Sequence, residues 1–153
     1  MEFFGQLGLA LPLGLGALGS ALGIGAAGRA AAGAWAKEAK AGKALNFSYI
    51  ILTGMPLSQT IYGFILMLVG LSGLVYQPEM LAENSGALLT IGLAGGLAEL
   101  FSAWMQGLIG AAGCRALSEG EGKGLVFIII AMGIVETVGL FGFVFLLLVM
   151  PAA

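Results

Sequence analysis

Four long stretches of the chain, 3–27, 45–76, 84–114 and 124–150, are almost free of charged residues. Each is longer than the ~20 residues a helix needs to cross a bilayer. Barrel strands are shorter and alternate in polarity, so continuous apolar runs of this length read as helices. The expected class is therefore an all-α membrane protein with four transmembrane helices, at about 3–33, 45–76, 84–115 and 123–150. Composition agrees: 59% of the 153 residues are hydrophobic and only 9% are charged. A soluble chain of this size has too much surface for its volume to hide that much apolar area. The loops leave no room for a soluble domain. The opening MEFFGQLG carries an acid and no basic n-region, which predicts a retained first helix rather than a cleaved signal.

Charge sets the expected orientation. The six basic residues are Arg29, Lys37, Lys40, Lys43, Arg115 and Lys123, all between helices 1 and 2 or helices 3 and 4. The opposite ends carry the acids Glu2, Glu79 and Glu83. The positive-inside rule then places the basic loops in the cytoplasm and both termini outside. Cys114 is the single cysteine, so one chain can build neither a disulfide framework nor a thiolate metal site.

The two halves repeat one another. GAAGRA (25–30) is echoed by GAAGCRA (110–116), and IYGFILMLV (61–69) by LFGFVFLLLV (140–149). The expected units are two tandem helical hairpins, 1–76 and 77–153, of the same orientation. Helices 1 and 3 carry unusually small side chains, with Gly19 and Gly23, and Gly92 and Gly96, at GxxxG spacing, followed by Gly107, Gly110 and Gly113. In lipid, apolar burial does not drive helices together, and glycine allows their backbones to approach. Two arrangements use such helices: tight packing within a monomeric bundle, or the crowded inner wall of a ring. Small residues surround much of helix 1 rather than forming one stripe, which favours the ring. Helices 2 and 4, with their Phe, Leu, Ile and Met, would then face lipid.

Polar groups at membrane depth are the functional candidates. Glu136 is the only charged residue after Gly124, and a charge at the bilayer centre costs ~2.5–3.5 kcal/mol or more. It is either a transport residue or an uncharged acid bonded to a neighbouring helix. On helix 2, Met55, Ser58, Gln59 and Tyr62 are spaced i, i+3, i+4 and i+7 and share one face. Pro56 among them removes a donor to the Leu52 carbonyl and predicts a local bend. Helix 3 offers Glu99, Ser102 and Gln106, again on one face. Counted from Lys43, Arg115 and Lys123 at ~1.5 Å per residue, Glu136 lies ~20 Å deep, Gln59 and Glu99 ~24 Å and Gln106 ~14 Å. These groups can converge on one layer. A carboxylate with amide and hydroxyl oxygens suits a hard monovalent cation, and the same set can hold a proton.

Nothing in the chain resembles a soluble enzyme site. GLGALG (14–19) has the glycines of a dinucleotide loop, but it lies inside an apolar helix with no preceding strand. Neither a nucleotide site nor a nucleic-acid partner is expected. AWAKEAKAGK (34–43) reads as a polar helix end or a docking surface for a cytoplasmic partner.

The duplicated hairpin, MPLSQTIYGF (55–64), LFSAWMQGLIGAAG (100–113) and VETVGLFGF (135–143) resemble the rotor-ring proteolipid of V-type ATPases. The nearest likeness is to the bacterial four-helix K subunit of sodium-pumping forms, and it covers nearly the whole chain. The resemblance implies a non-catalytic protein, repeated in a ring that turns against a static membrane subunit holding the half-channels. A cytoplasmic central-stalk subunit would meet loops 1–2 and 3–4. It implies that Glu136 carries the ion, with Gln59, Gln106 and Ser58 as side-chain ligands. Ser58 stands where the sodium-type pattern has threonine. Met55 would supply a backbone carbonyl, and Tyr62 would lock the carboxylate. Na+ is the implied ion and H+ the alternative, and no organic cofactor is implied. The setting would be a prokaryotic plasma membrane. Aligning the two YGF/FGF segments puts Leu57 opposite Glu136, so one ion site serves four helices. Fewer ions per turn permit a steeper gradient, since each charge costs ~2.3 kcal/mol per 100 mV. Glu99 departs from the pattern, which has a small residue there. It is either a second carboxylate near the site or an acid facing the ring pore. The rival class is a small four-helix multidrug/proton antiporter. That class expects an acid on the first helix and an aromatic-lined pocket.

Overall fold

In the computed structural model, which describes residues 2–151, every element is helical. Four helices are long and apolar enough to cross a membrane: α1 (Glu2–Lys40), α2 (Ser48–Val75), α3 (Pro78–Glu119) and α4 (Leu125–Leu148). The expected all-α fold with four membrane-length helices is thus the observed one. α1 and α3 have 39 and 42 residues. At ~1.5 Å per residue both are about 60 Å long, roughly twice the hydrocarbon thickness. The polar segment after residue 33 therefore continues α1 as helix, well past the apolar stretch.

α1 and α3 run parallel with their backbones in contact. Only glycine makes this possible, because a side chain would have to occupy the neighbour's main chain. A Cβ on Gly8 would strike the Leu88 carbonyl, one on Gly92 the Gly8 carbonyl, and one on Gly107 the Gly23 main chain. Gly19 and Gly23 meet the backbones of Leu100 and Ala103. The GxxxG glycines thus form a seam between α1 and α3 inside one chain. The Gly8 carbonyl is also the acceptor that Pro12, inside α1, leaves without its i+4 donor. It faces Gly92, where a Cα–H can approach.

α2 and α4 lie against this pair, antiparallel to it. Gly63 of α2 packs on the Pro12 carbonyl, and Thr60 Oγ1 donates to Ser20 Oγ of α1 at 2.7 Å. α2 is not uniform. Pro56 tightens Met55–Leu57 into a 3₁₀ turn, and Leu66–Leu71 widens into π-helix. α4 buries only Met132 and Gly139 among its described residues, and its large side chains, Phe127, Ile130, Ile134, Val138, Phe141 and Phe145, are exposed. In water such a surface would be untenable, whereas in lipid it is solvated.

The basic end of the bundle is tied together. Glu38 of α1 accepts from the Tyr49 hydroxyl at 2.5 Å and from the Asn46 backbone N–H at 2.9 Å, and Trp35 Nε1 donates to the Asn46 carbonyl at 3.0 Å. These bonds satisfy the backbone of the α1–α2 turn. The α3–α4 turn is made by Glu121, Gly122 and Gly124, all at positive φ. Lys43 and Glu121 join the two turns through an exposed 3.1 Å ion pair.

Candidate functional site

Helix geometry brings the polar residues of α2, α3 and α4 into one layer. On α2 the i, i+3, i+4 spacing turns Met55, Ser58 and Gln59 to a common side, and the 3₁₀ turn at Pro56 presents the Met55 carbonyl there. Ser58 Oγ donates to that carbonyl at 3.2 Å and lies 3.1 Å from Gln59 Oε1. Gln59 Nε2 reaches α3, at 3.1 Å from Gln106 Oε1 and 3.0 Å from Ser102 Oγ. Gln106 Nε2 continues to α4, donating to Glu136 Oε2 at 3.1 Å and to the Met132 carbonyl at 3.3 Å. The Tyr62 hydroxyl closes the layer, donating to Glu136 Oε1 at 3.1 Å. Its ring stacks on Phe143 at 5.9 Å, which fixes the hydroxyl's position.

The six residues that the resemblance assigns to the ion site, Glu136, Gln59, Gln106, Ser58, Met55 and Tyr62, belong to one connected network, which Glu99 does not join. Gln59 and Gln106 are fully buried, whereas Glu136 and Tyr62 are half-buried at the junction of α2 and α4. The network uses both amide hydrogens of Gln59 and both of Gln106. In a low-dielectric setting a fully satisfied network is rigid, and losing any member leaves its partners unpaired. Both Glu136 oxygens accept, so the carboxyl is held at two points in one orientation. Chemically, the layer gathers a carboxylate, two amide oxygens, a hydroxyl and a backbone carbonyl within reach of one another. These are the ligands hard cations prefer. No group of three or more His, Cys, Asp or Glu converges among the described residues.

Ser102 is a further member, beyond the expected ligands. It accepts from Gln59 and donates to the Val135 carbonyl at 2.9 Å, pinning α4 beside Glu136. Its signal in the sequence is its place on the α3 face of Glu99 and Gln106.

Glu99 is placed differently. It is completely buried on α3, and among the described residues neither carboxyl oxygen has a hydrogen-bond partner. It does not join the network. It faces Gly139 of α4, where a Cβ would lie 2.7 Å from Glu99 Oε2, and its own Cβ lies near Gly16 of α1. It occupies the interior between helices rather than an outer face.

Comparison with known proteins identifies a family for the chain. A search among curated proteins returns no significant match. The family model for the C subunit of ATP synthase matches residues 7–70 and again 89–149. The two matched segments cover most of the chain, and each ends within or just after one of the bulky helices α2 and α4. Members of that family are helical hairpins assembled as rings, non-catalytic in themselves. The chain therefore belongs to the family of ATP synthase C subunits, the ion-carrying rotor-ring proteolipids of the rotary ATPases.

Proposed function

We propose that this chain is the four-helix rotor subunit of a V-type ATPase and that it carries Na+ on Glu136. Gln59, Gln106, Ser58 and the Met55 carbonyl complete the coordination, and Tyr62 holds the carboxylate in place while the ring turns. The observation that carries this reading is the continuous bonding from Met55 to Glu136 across three helices. A simple proton carrier needs only the acid and something to shield it. Two glutamines and a serine hydroxyl, each about 3 Å from the next in the line that ends at Glu136, supply oxygens that a proton does not need.

The hairpins 1–76 and 77–153 act as two copies of one unit, of which the second alone bears the carrier acid. α1 and α3, thin and glycine-lined, form the inner wall of the ring, and α2 and α4 the outer wall. The exposed apolar side chains of α4 are then lipid-facing. The basic ends lie in the cytoplasm of a prokaryotic cell, where the turns at Lys43 and Glu121 meet the central stalk. A static membrane subunit loads and unloads Glu136. ATP is hydrolysed elsewhere, and this chain holds no nucleotide. The antiporter alternative lacks its key residue, since the acids of α1 are Glu2 and Glu38 at its ends.

Carbodiimide labelling of the purified ring tests the reading, because the reagent attacks protonated carboxyls in apolar surroundings. Adducts would be mapped by mass spectrometry across pH with Na+ or K+ present. Protection of Glu136 by Na+ and not by K+ is the expected result. Labelling that follows pH alone would make the ring a proton carrier.

A further inference from the structure

Transport on Glu136 uses one of the two acids inside the bundle and leaves Glu99 without a role. Glu99 is fully buried, and its carboxyl makes no hydrogen bond among the described residues. An ionised carboxylate so placed is among the most expensive groups a protein can bury. No side chain can compensate it. All six basic residues lie toward the basic end, and the nearest on α3, Arg115, is sixteen positions away, ~24 Å along the helix. The compensating charge must be a small cation.

The surroundings decide which one. A metal ion needs several oxygens. Ser102 Oγ, the hydroxyl beside the same Gly139, is already engaged by Gln59 and by the Val135 carbonyl. Otherwise the carboxyl faces Gly139, which supplies space and no side-chain donor. A proton needs nothing beyond the carboxyl itself. Neutrality of the carrier points the same way. Gly139 is one helical turn from Glu136, so both acids pass through lipid together. If Glu99 were ionised, a protomer with Na+ on Glu136 would still cross hydrocarbon with a net charge, at the cost of a bare intramembrane charge.

We propose that Glu99 is a second cation site, specific for a proton, so that each protomer passes through the lipid with a resident proton on Glu99 beside the transported ion on Glu136. The proposal rests on Glu136 being the carrier, but not on which ion it carries. The proton is resident because, among the described residues, no hydrogen-bonded path leads from Glu99 to the polar layer.

Infrared spectroscopy of the purified ring, with bound sodium counted on the same samples, tests it. At saturating Na+ the wild-type ring should show the C=O stretch of a protonated carboxyl free of hydrogen bonds. The band should vanish in Glu99→Gln and persist in Glu136→Gln, where Glu99 is the only acid left at membrane depth. Glu99→Gln should bind as much Na+ per protomer as the wild type, and Glu136→Gln should bind none. Absence of the band in the wild-type ring, or in an assembled Glu136→Gln ring, overturns the proposal. So does loss of a second Na+ in Glu99→Gln. If Glu136 proves to be a proton carrier, the wild type shows two protonated carboxyls and Glu99→Gln removes one. The sodium reading then fails while the Glu99 assignment stands. Should Glu99→Gln not assemble, the Glu136→Gln spectrum alone decides.

Discussion

The α1–α3 seam and the α2–α3–α4 layer are both buried helix contacts, yet they are built on opposite principles. Along the seam the side chains have been removed, and backbone meets backbone at Gly8, Gly92, Gly23 and Gly107. In the layer the side chains are long and polar, and each is tied to the next by hydrogen bonds. The seam gains dispersion and weak Cα–H contacts that work in any orientation of charge. The layer gains specificity, because its partners must be present together. The contrast separates assembly from function: damage to the seam should destroy the fold, and damage to the layer should spare it and abolish ion handling.

The largest effect should come from the seam. Gly107→Leu would drive a side chain into the Gly23 main chain, with no flexible neighbour to yield. Overpacking of this kind costs ~1–3 kcal/mol even where neighbours can shift. Here the ring should fail to assemble, read by electron microscopy of the detergent-purified chain. An intact Gly107→Leu ring would erase the distinction between the two regions. Next is Glu136→Gln, which should assemble normally and lose ATP-driven ion transport altogether, measured as Na+ uptake by vesicles reconstituted with the whole ATPase.

Gln106→Leu leaves Gln59 and Glu136 each short of a partner. The loss of ~1–3 kcal/mol corresponds to roughly 5–150-fold weaker ion binding, measurable by the Na+ concentration that protects Glu136 from carbodiimide. Tyr62→Phe keeps the stack on Phe143 and removes one bond to Glu136, worth ~1 kcal/mol, or about fivefold in the same assay. The smallest change should follow Lys43→Ala. Its partner Glu121 is exposed, and such pairs contribute ~0.2–1 kcal/mol at most. Thermal stability of the ring should barely move. A large drop would mean that the turns, like the seam, carry assembly.

Much of this is legible in the chain because lipid imposes simple rules. Apolar length yields the four helices, and the helical repeat puts Met55, Ser58, Gln59 and Tyr62 on one side of α2. The glycine spacing announces a close helix pair, although it does not say whether the contact is within a chain or between copies. Only the register of α1 on α3, which depends on small side-chain offsets, places Gly107 on Gly23. The span of α1 is less legible, because hydropathy reports the membrane and not the helix: AWAKEAKAGK is polar and mostly continues as helix. Pro56 signals its bend. The wide turn at Leu66–Leu71 has no comparable mark, since LMLVGL contains no proline. Ser102 is hard to read as a site member because a lone serine in a membrane helix usually bonds its own backbone, as Ser85 does here. Its bond to the Val135 carbonyl is a tertiary event.

The length of α1 has a mechanical meaning. From Gly16, beside Gln59 and Glu99, it runs without a break to Lys40, twenty-four residues or ~36 Å farther on. A single rod that passes the level of the polar layer and ends beyond the apolar stretch is stiff in torsion. Force applied at one end arrives at the other with little lag. Paired with α3 along a seam where backbone meets backbone at Gly8, Gly23, Gly92 and Gly107, it forms a shaft with little backlash. In a machine that turns in steps, such a shaft keeps the position of the polar layer and the angle of the load in time with each other.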